Sequence, residues 1–159
     1  MRGSFRSFAL VGLLAVAGCS SGDPDDDNND GGLSAADRET LETALGCDTV
    51  ASLSLDDAES AALSTTDCAG FNGSYIDYYG FRLTSATGVV IEMESDEMNP
   101  YLWLYNAEGD VIAQNDDIEP VTNLNSRIQI SLEAGLYAIG ANNLSTGVTG
   151  AYTVRLDQD

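Results

Sequence analysis

The sequence predicts an all-β domain, an antiparallel β-sandwich, preceded by a short helix and a disordered acidic tether. Three observations predict it. The stretch Tyr101–Asp117, YLWLYNAEGDVIAQNDD, sets two apolar runs around the turn-prone NAEGD and closes on a polar NDD, which is a β-hairpin signal. From Gly46 onward the apolar residues recur with period two, in short runs with turn signals between them. A length of 159 residues, 43% of them hydrophobic, suits one domain with a real core.

The first segment is an address. Residues 1–18, MRGSFRSFALVGLLAVAG, place Arg2 and Arg6 before an apolar run from Phe8 to Ala17, a secretory signal too short to span a bilayer as a helix. Its end, Val16-Ala17-Gly18-Cys19, resembles the lipobox of bacterial lipoproteins. That resemblance implies cleavage before Cys19 and acylation of its thiol and its new amine, so that the chain contacts the membrane through a lipid anchor. One acyl chain binds marginally and each buried methylene adds roughly 0.8 kcal/mol, so three chains hold firmly. Ser20 follows the Cys where an Asp would signal retention, which by analogy with Gram-negative lipoproteins directs the chain to the outer membrane. An ordinary signal peptide with a chance Cys is the alternative. Loss of Arg2 and Arg6 leaves Arg38, Arg82, Arg127 and Arg155 against 26 acids, a net charge of −22. Such a surface repels nucleic acid and anionic membrane and attracts cations or basic partners, and it also serves as a solubilising coat outside the cytoplasm.

Residues 19–32 form the tether. From Ser20 the stretch SSGDPDDDNNDGG has no apolar residue and cannot fold alone; its like charges extend it. Within it Asp26, Asn28 and Asp30 take positions one, three and five of a calcium-loop pattern, Gly31 the turn, Leu33 position eight and Asp37 position twelve. This resembles the loop of dockerins and EF-hands, with Asp in place of the usual Glu, one copy, and no helix ahead of it. Residues 33–46 then read as a short helix: Ser34 can cap it, Asp37 completes a capping-box-like pair and Gly46 ends it. Ser34 and Asp37 therefore serve either reading.

Residues 47–159 are the β domain. CDTVASLSL and ESAALS read as two strands around the turn DDA. Next comes GSYIDYYGFRLTS, with Tyr75, Asp77, Tyr79, Phe81 and Leu83 on one face, and then GVVIEMES, with Val89, Ile91 and Met93 inward. In the hairpin, Leu102 and Leu104 point one way and Tyr101, Trp103 and Tyr105 the other. SRIQISL, LYAIGA and AYTVRL complete the alternation.

From about Thr49 to Leu156 the chain resembles the bacterial pre-peptidase C-terminal domain, including the collagen-binding modules of clostridial collagenases. The matching pieces are Asp77-x-Tyr79-x-Phe81-x-Leu83, Val89-x-Ile91, Tyr101-Leu102-x-Leu104, and Gly109 with Val111-Ile112-Ala113. After them come Asn115-Asp116-Asp117, Asn125-Ser126-Arg127-Ile128, Gly135-x-Tyr137 and Gly150-x-Tyr152-x-Val154. The resemblance implies a jelly-roll-like sandwich that is not itself catalytic. Two departures are Asn99, where the family most often has Asp before Pro-Tyr, and the expectation that no peptidase precedes the domain.

Cys47 and Cys68 remain after lipidation, an even number in an oxidising compartment, and read as a disulfide closing a loop of about twenty residues. Free thiols, or a metal site built on two Cys, are the alternatives. Tyr78, Tyr101, Trp103 and Tyr105 form a candidate row of exposed rings for a protein or polysaccharide ligand, unless that face packs on the second sheet or the helix. Asp116 and Asp117 could ligate calcium, or cap the turn with side-chain hydrogen bonds. Arg127 could pair with either of them. Catalysis finds little support: there is no His for a triad, no free Cys nucleophile, no phosphate loop, and acid pairs arise by chance in so acidic a chain. The sequence thus predicts a lipid-anchored binding or accessory module, with a purely structural lipoprotein or a calcium-dependent module as alternatives.

Overall fold

The computed structural model describes residues 32–70, 73–143 and 145–159. Helix α1, Ala35–Leu45, forms between the expected caps. The Ser34 hydroxyl accepts the Asp37 N–H at 3.1 Å, and Gly46 closes the helix at φ 66°, a left-handed conformation glycine adopts freely. Ten strands follow: β1 Val50–Ser52, β2 Asp57–Leu63, β3 Cys68–Ala69, β4 Tyr75–Leu83, β5 Thr87–Glu94, β6 Tyr101–Asn106, β7 Val111–Asn115, β8 Ser126–Leu132, β9 Gly135–Asn142 and β10 Gly150–Gln158.

They build two sheets packed as a sandwich. The first runs β1-β4-β9-β6-β7, with β3 also on β4; the second runs β2-β10-β5-β8. Phe81, Leu102, Leu104 and Ile139 from the first sheet meet Val89, Ile91, Met93, Val154 and Leu156 from the second, all buried in one cluster. The alternation read from the sequence fills this core.

Two features differ from expectation. Strand β1 pairs parallel with β4, Val50 opposite Tyr78, while the other strand pairs are antiparallel. The turn at Leu55–Asp56 separates β1 from β2 as expected, but it carries the chain from one sheet to the other and closes no hairpin. Leu53 N–H bonds the Gly80 carbonyl of the first sheet at 3.0 Å, and Asp56 N–H bonds the Leu156 carbonyl of the second at 2.7 Å. Asp56 takes φ 63° at that crossing.

A second, smaller core lies outside the first sheet. There α1 buries Leu41 completely against Val50, Ile76, Tyr78, Leu136 and Ala138. Gly80 permits the approach, since a Cβ on it would stand 2.4 Å from Leu33 and 2.6 Å from Leu41. Three links hold the helix in place. Asp37 forms a two-pronged ion pair with Arg82 of β4, Arg38 donates to the Val50 carbonyl, and Cys47–Cys68 is a disulfide with Cα atoms 5.9 Å apart. Among the described residues no helix is long and apolar enough to cross a membrane, which says nothing of a β-barrel.

Candidate functional site

The ring row lies where the pleat puts it, on the outer face of the first sheet. Tyr78 and Trp103 flank Gly140 from either side, and Tyr105 lies beside Ala138. Tyr78 and Tyr105 meet edge to face at 5.8 Å, and Tyr101 and Trp103 are tilted at 4.9 Å. This face is nevertheless not the open row expected of it. Tyr78 is 8% exposed and Tyr101 9%, while Trp103 and Tyr105 are half-buried against the helix cluster. For Tyr78, Trp103 and Tyr105 the physical reason is α1, whose Leu41 is buried in the same cluster; Tyr101 lies outside that cluster, against Trp103. Burial pushes the phenol pKa values of Tyr78 and Tyr105 up.

The hairpin's closing triplet works as a clasp. Ser126 donates its hydroxyl to the Asn115 carbonyl at 2.8 Å, and Arg127 N–H bonds the Asn115 Oδ1 at 3.1 Å, tying β8 to the end of β7. Asn99 donates to Asp116 at 3.2 Å. An Asp at position 99 would set carboxylate against carboxylate, whereas Asn supplies a donor. Burial, and then the neighbouring Asp117, raise the Asp116 pKa. One buried oxygen of Asp117, Oδ1, has no hydrogen-bond partner. Arg127 does not pair with Asp116 or Asp117: its Nε is 2.8 Å from Glu92, which stands directly opposite it across β5 and β8. That cross-strand register outcompetes the loop acids.

Cys19, Asp26, Asn28 and Asp30 lie outside the described residues. Asp37 is bonded to Arg82, and that bond is the main cause holding its pKa below the usual carboxylate value. Among the described residues no group of three or more Cys, Asp or Glu side chains is placed to hold a metal ion.

A polar chain joins the two sheets inside the sandwich. Tyr79 of β4 and Tyr152 of β10 share a hydrogen bond of 2.7 Å, and Tyr152 donates to Asp77 at 2.6 Å. Burial pushes the Tyr79 hydroxyl up to about 12 and the Tyr152 hydroxyl higher still. Both phenols therefore stay neutral at physiological pH. They act as a fixed joint and have neither the exposure nor the acidity of a nucleophile or base.

The outer face of the second sheet differs from that of the first. Ser60, Ala62, Gln129, Ser131, Ala151 and Arg155 stand exposed on it. At one end a groove of about 490 Å³ opens across β2, β10 and the segment after β5, lined among others by Ser60, Glu94, Asp96, Glu97 and Thr153. Its walls are fixed. Ser60 and Thr153 hydroxyls bond at 3.1 Å, Glu97 accepts the Ala151 N–H at 2.8 Å, and Ser95 donates to the Ala151 carbonyl at 2.7 Å. Its lining holds three carboxylates and no basic side chain. Sequence reading overlooked this groove because its residues come from four separated segments. The run Glu94-Ser95-Asp96-Glu97 was its one visible sign.

No protein-family model matches the chain, and no curated protein matches it either. Among solved structures it is similar to the pre-peptidase C-terminal domain of a Bacillus anthracis collagenase. The two are 14% identical, with 68% of this chain and 94% of that one covered, at a TM-score of 0.52. This likeness shows the fold, a two-sheet sandwich of the pre-peptidase C-terminal kind. A looser likeness exists to Aeromonas hydrophila PliG, a periplasmic inhibitor of g-type lysozyme, at 12% identity, 70% and 96% coverage and a TM-score of 0.48. Another is to CorA, a surface-associated copper-binding protein of Methylomicrobium album BG8, at 10%, 70% and 98%, and 0.40. No functional statement follows from either.

Proposed function

We propose that this chain is a non-catalytic module of the bacterial envelope, lipid-anchored through Cys19 at the outer membrane, which presents the open face of its second sheet to a partner. The observation that carries the reading is the contrast between the two outer faces. One is sealed by α1 and its disulfide; the other is bare and holds the acidic, hydroxyl-lined groove. The three carboxylates of the groove have no basic side chain among its lining, and the arginines elsewhere on that face, Arg127 and Arg155, are paired with Glu92 and Asp157. This favours a cationic ligand, and a groove this open suits an extended segment more than an enclosed small molecule. The ligand proposed is therefore a Lys- or Arg-bearing peptide stretch of another protein. The burial of Tyr78 and Tyr101 supports the second reading, a structural lipoprotein without a ligand. The unpaired Asp117 oxygen supports a third, in which Asp116 and Asp117 hold calcium.

The test is titration of the full chain with an alternating Lys-Arg hexapeptide and with an uncharged glucan hexamer. Binding of the peptide that weakens with salt and is lost in Glu94→Gln/Asp96→Asn supports the groove. Binding of the glucan alone shifts the ligand class, and no binding of either leaves the structural reading. A rise in melting temperature with calcium, lost in Asp117→Asn, would favour the third. Labelling of the chain by radioactive palmitate in cells, lost in Cys19→Ala, tests the anchor.

A further inference from the structure

Among the described residues, the large apolar side chains that stand exposed are Val111, Ile112, Val121 and Leu124. All four fall within β7 and the loop that follows it. Val121 is the extreme case, 91% exposed at φ 78°. A β-branched residue at positive φ is strained, and glycine or asparagine would occupy the position more easily. An exposed, strained valine gives the isolated domain nothing in return, and local rules broken without compensation tend to mark functional positions.

The loop is also held ready. Ile118 N–H bonds the Asn125 carbonyl at 2.7 Å; Glu119 and Asn123 bond each other both ways, at 3.1 and 2.9 Å. The Thr122 hydroxyl bonds the Glu119 carboxylate at 3.0 Å, and the base is fastened by the Asn115 clasp and the Asn99–Asp116 bond. Val121 therefore sits at the tip of a small hairpin whose shape is set before any contact. Such preorganisation reduces the ordering cost of binding.

We propose that the tip Pro120–Leu124, where Val121 and Leu124 both stand exposed, is an anchor that inserts Val121 into an apolar pocket of a cationic protein. The charges choose the partner. The loop at residues 115–125 carries Asp116, Asp117 and Glu119 and no basic residue, and the whole chain is at −20. A second copy or an anionic lipid surface would be repelled, and so would the acidic segment at residues 24–30. A basic protein is attracted and can receive an apolar tip within an acidic rim. This anchor is separate from the groove, and either can fail without the other.

The experiment places a photo-crosslinking benzoylphenylalanine at the exposed Thr122, next to an intact Val121, in the full chain in its native cells, with a second strain carrying it at Ser60 in the groove. The expected result is a discrete adduct at Thr122 with a protein of basic isoelectric point. Once purified, that protein binds the full chain with an affinity that drops with salt and at least roughly tenfold in Val121→Ser. Val121→Gly, which relieves the positive φ, melts no lower than the parent chain and also loses binding, so that loss of binding is not loss of fold. Adducts with lipid, with a second copy or with an acidic protein overturn the proposal. So do the absence of an adduct at Thr122 and an affinity unchanged in Val121→Ser. An adduct at Ser60 alone would retain the groove and remove the anchor.

Discussion

Replacing Leu41 by Ala tests whether α1 is a cover held only by its docking. An isolated helix of 11 residues is marginal in water, so its stability comes from the face it buries. Leu41 is its one fully buried side chain, and it belongs to the smaller cluster, apart from the inter-sheet core. A buried Leu→Ala change costs about 2–5 kcal/mol. Even the low end, about 2 kcal/mol, multiplies the opening of the helix roughly 30-fold. The disulfide at Cys47 retains the end of the helix, and the sandwich keeps its own core, so opening is local. Hydrogen exchange read by mass spectrometry should show the α1 amides losing protection by at least that factor while β4 and β9 keep theirs. If α1 stays protected, or if β4 and β9 lose as much as α1, the separation into two cores is wrong.

Two further expectations concern the joint and the disulfide. Tyr152→Phe removes the donor to Asp77 and the partner of Tyr79, which should cost about 1–3 kcal/mol in a denaturant melt at neutral pH. Burial holds the Asp77 carboxyl above the usual value despite the bond from Tyr152. A raised carboxyl contributes stability that is full below its unfolded value and is lost as pH rises through the folded one. The variant strips the charged form of its donor, so its deficit should be largest at neutral pH and shrink on acidification; a deficit independent of pH would deny Asp77 its part. Reduction of Cys47–Cys68, 21 residues apart, should destabilise the domain by about 3 kcal/mol in the chain-entropy model. An unchanged melting temperature after reduction would show that the bond closes no loop that matters.

The strands were legible because a sandwich core imposes period two, and Val89-x-Ile91-x-Met93 and Leu102-x-Leu104 can satisfy it only as strands. The caps of α1 were legible because Ser34 and Gly46 act locally. What stayed hidden depends on register. Arg127 faces Glu92 because β8 lies beside β5, and nothing adjacent in the chain announces that pairing. The covered ring face had one sign. Gly80, Ala138 and Gly140 fall on the same side as Tyr78 and Trp103, and small residues between rings point to close approach by another layer. The groove had its acidic run, but the hydroxyls of Ser60 and Thr153 come together only once β2 pairs with β10. Val121 stayed hidden as well, because a Val after Pro120 does not announce the positive φ that the turn imposes on it.

The covered face also sets where the segment ahead of α1 joins the sandwich. Leu33 N–H bonds the Ser52 hydroxyl at 2.9 Å, at the edge of the first sheet beneath α1. Asp37–Arg82 and Cys47–Cys68 bind that same segment to the sheet. The chain therefore enters the fold on the covered side of the first sheet. The groove lies on the outer side of the opposite sheet. The ion pair, the disulfide and the buried Leu41 make α1 part of the fold and not a spacer ahead of it. The sheet with the small residues accepts the helix, and the sheet without a cover carries the acidic groove.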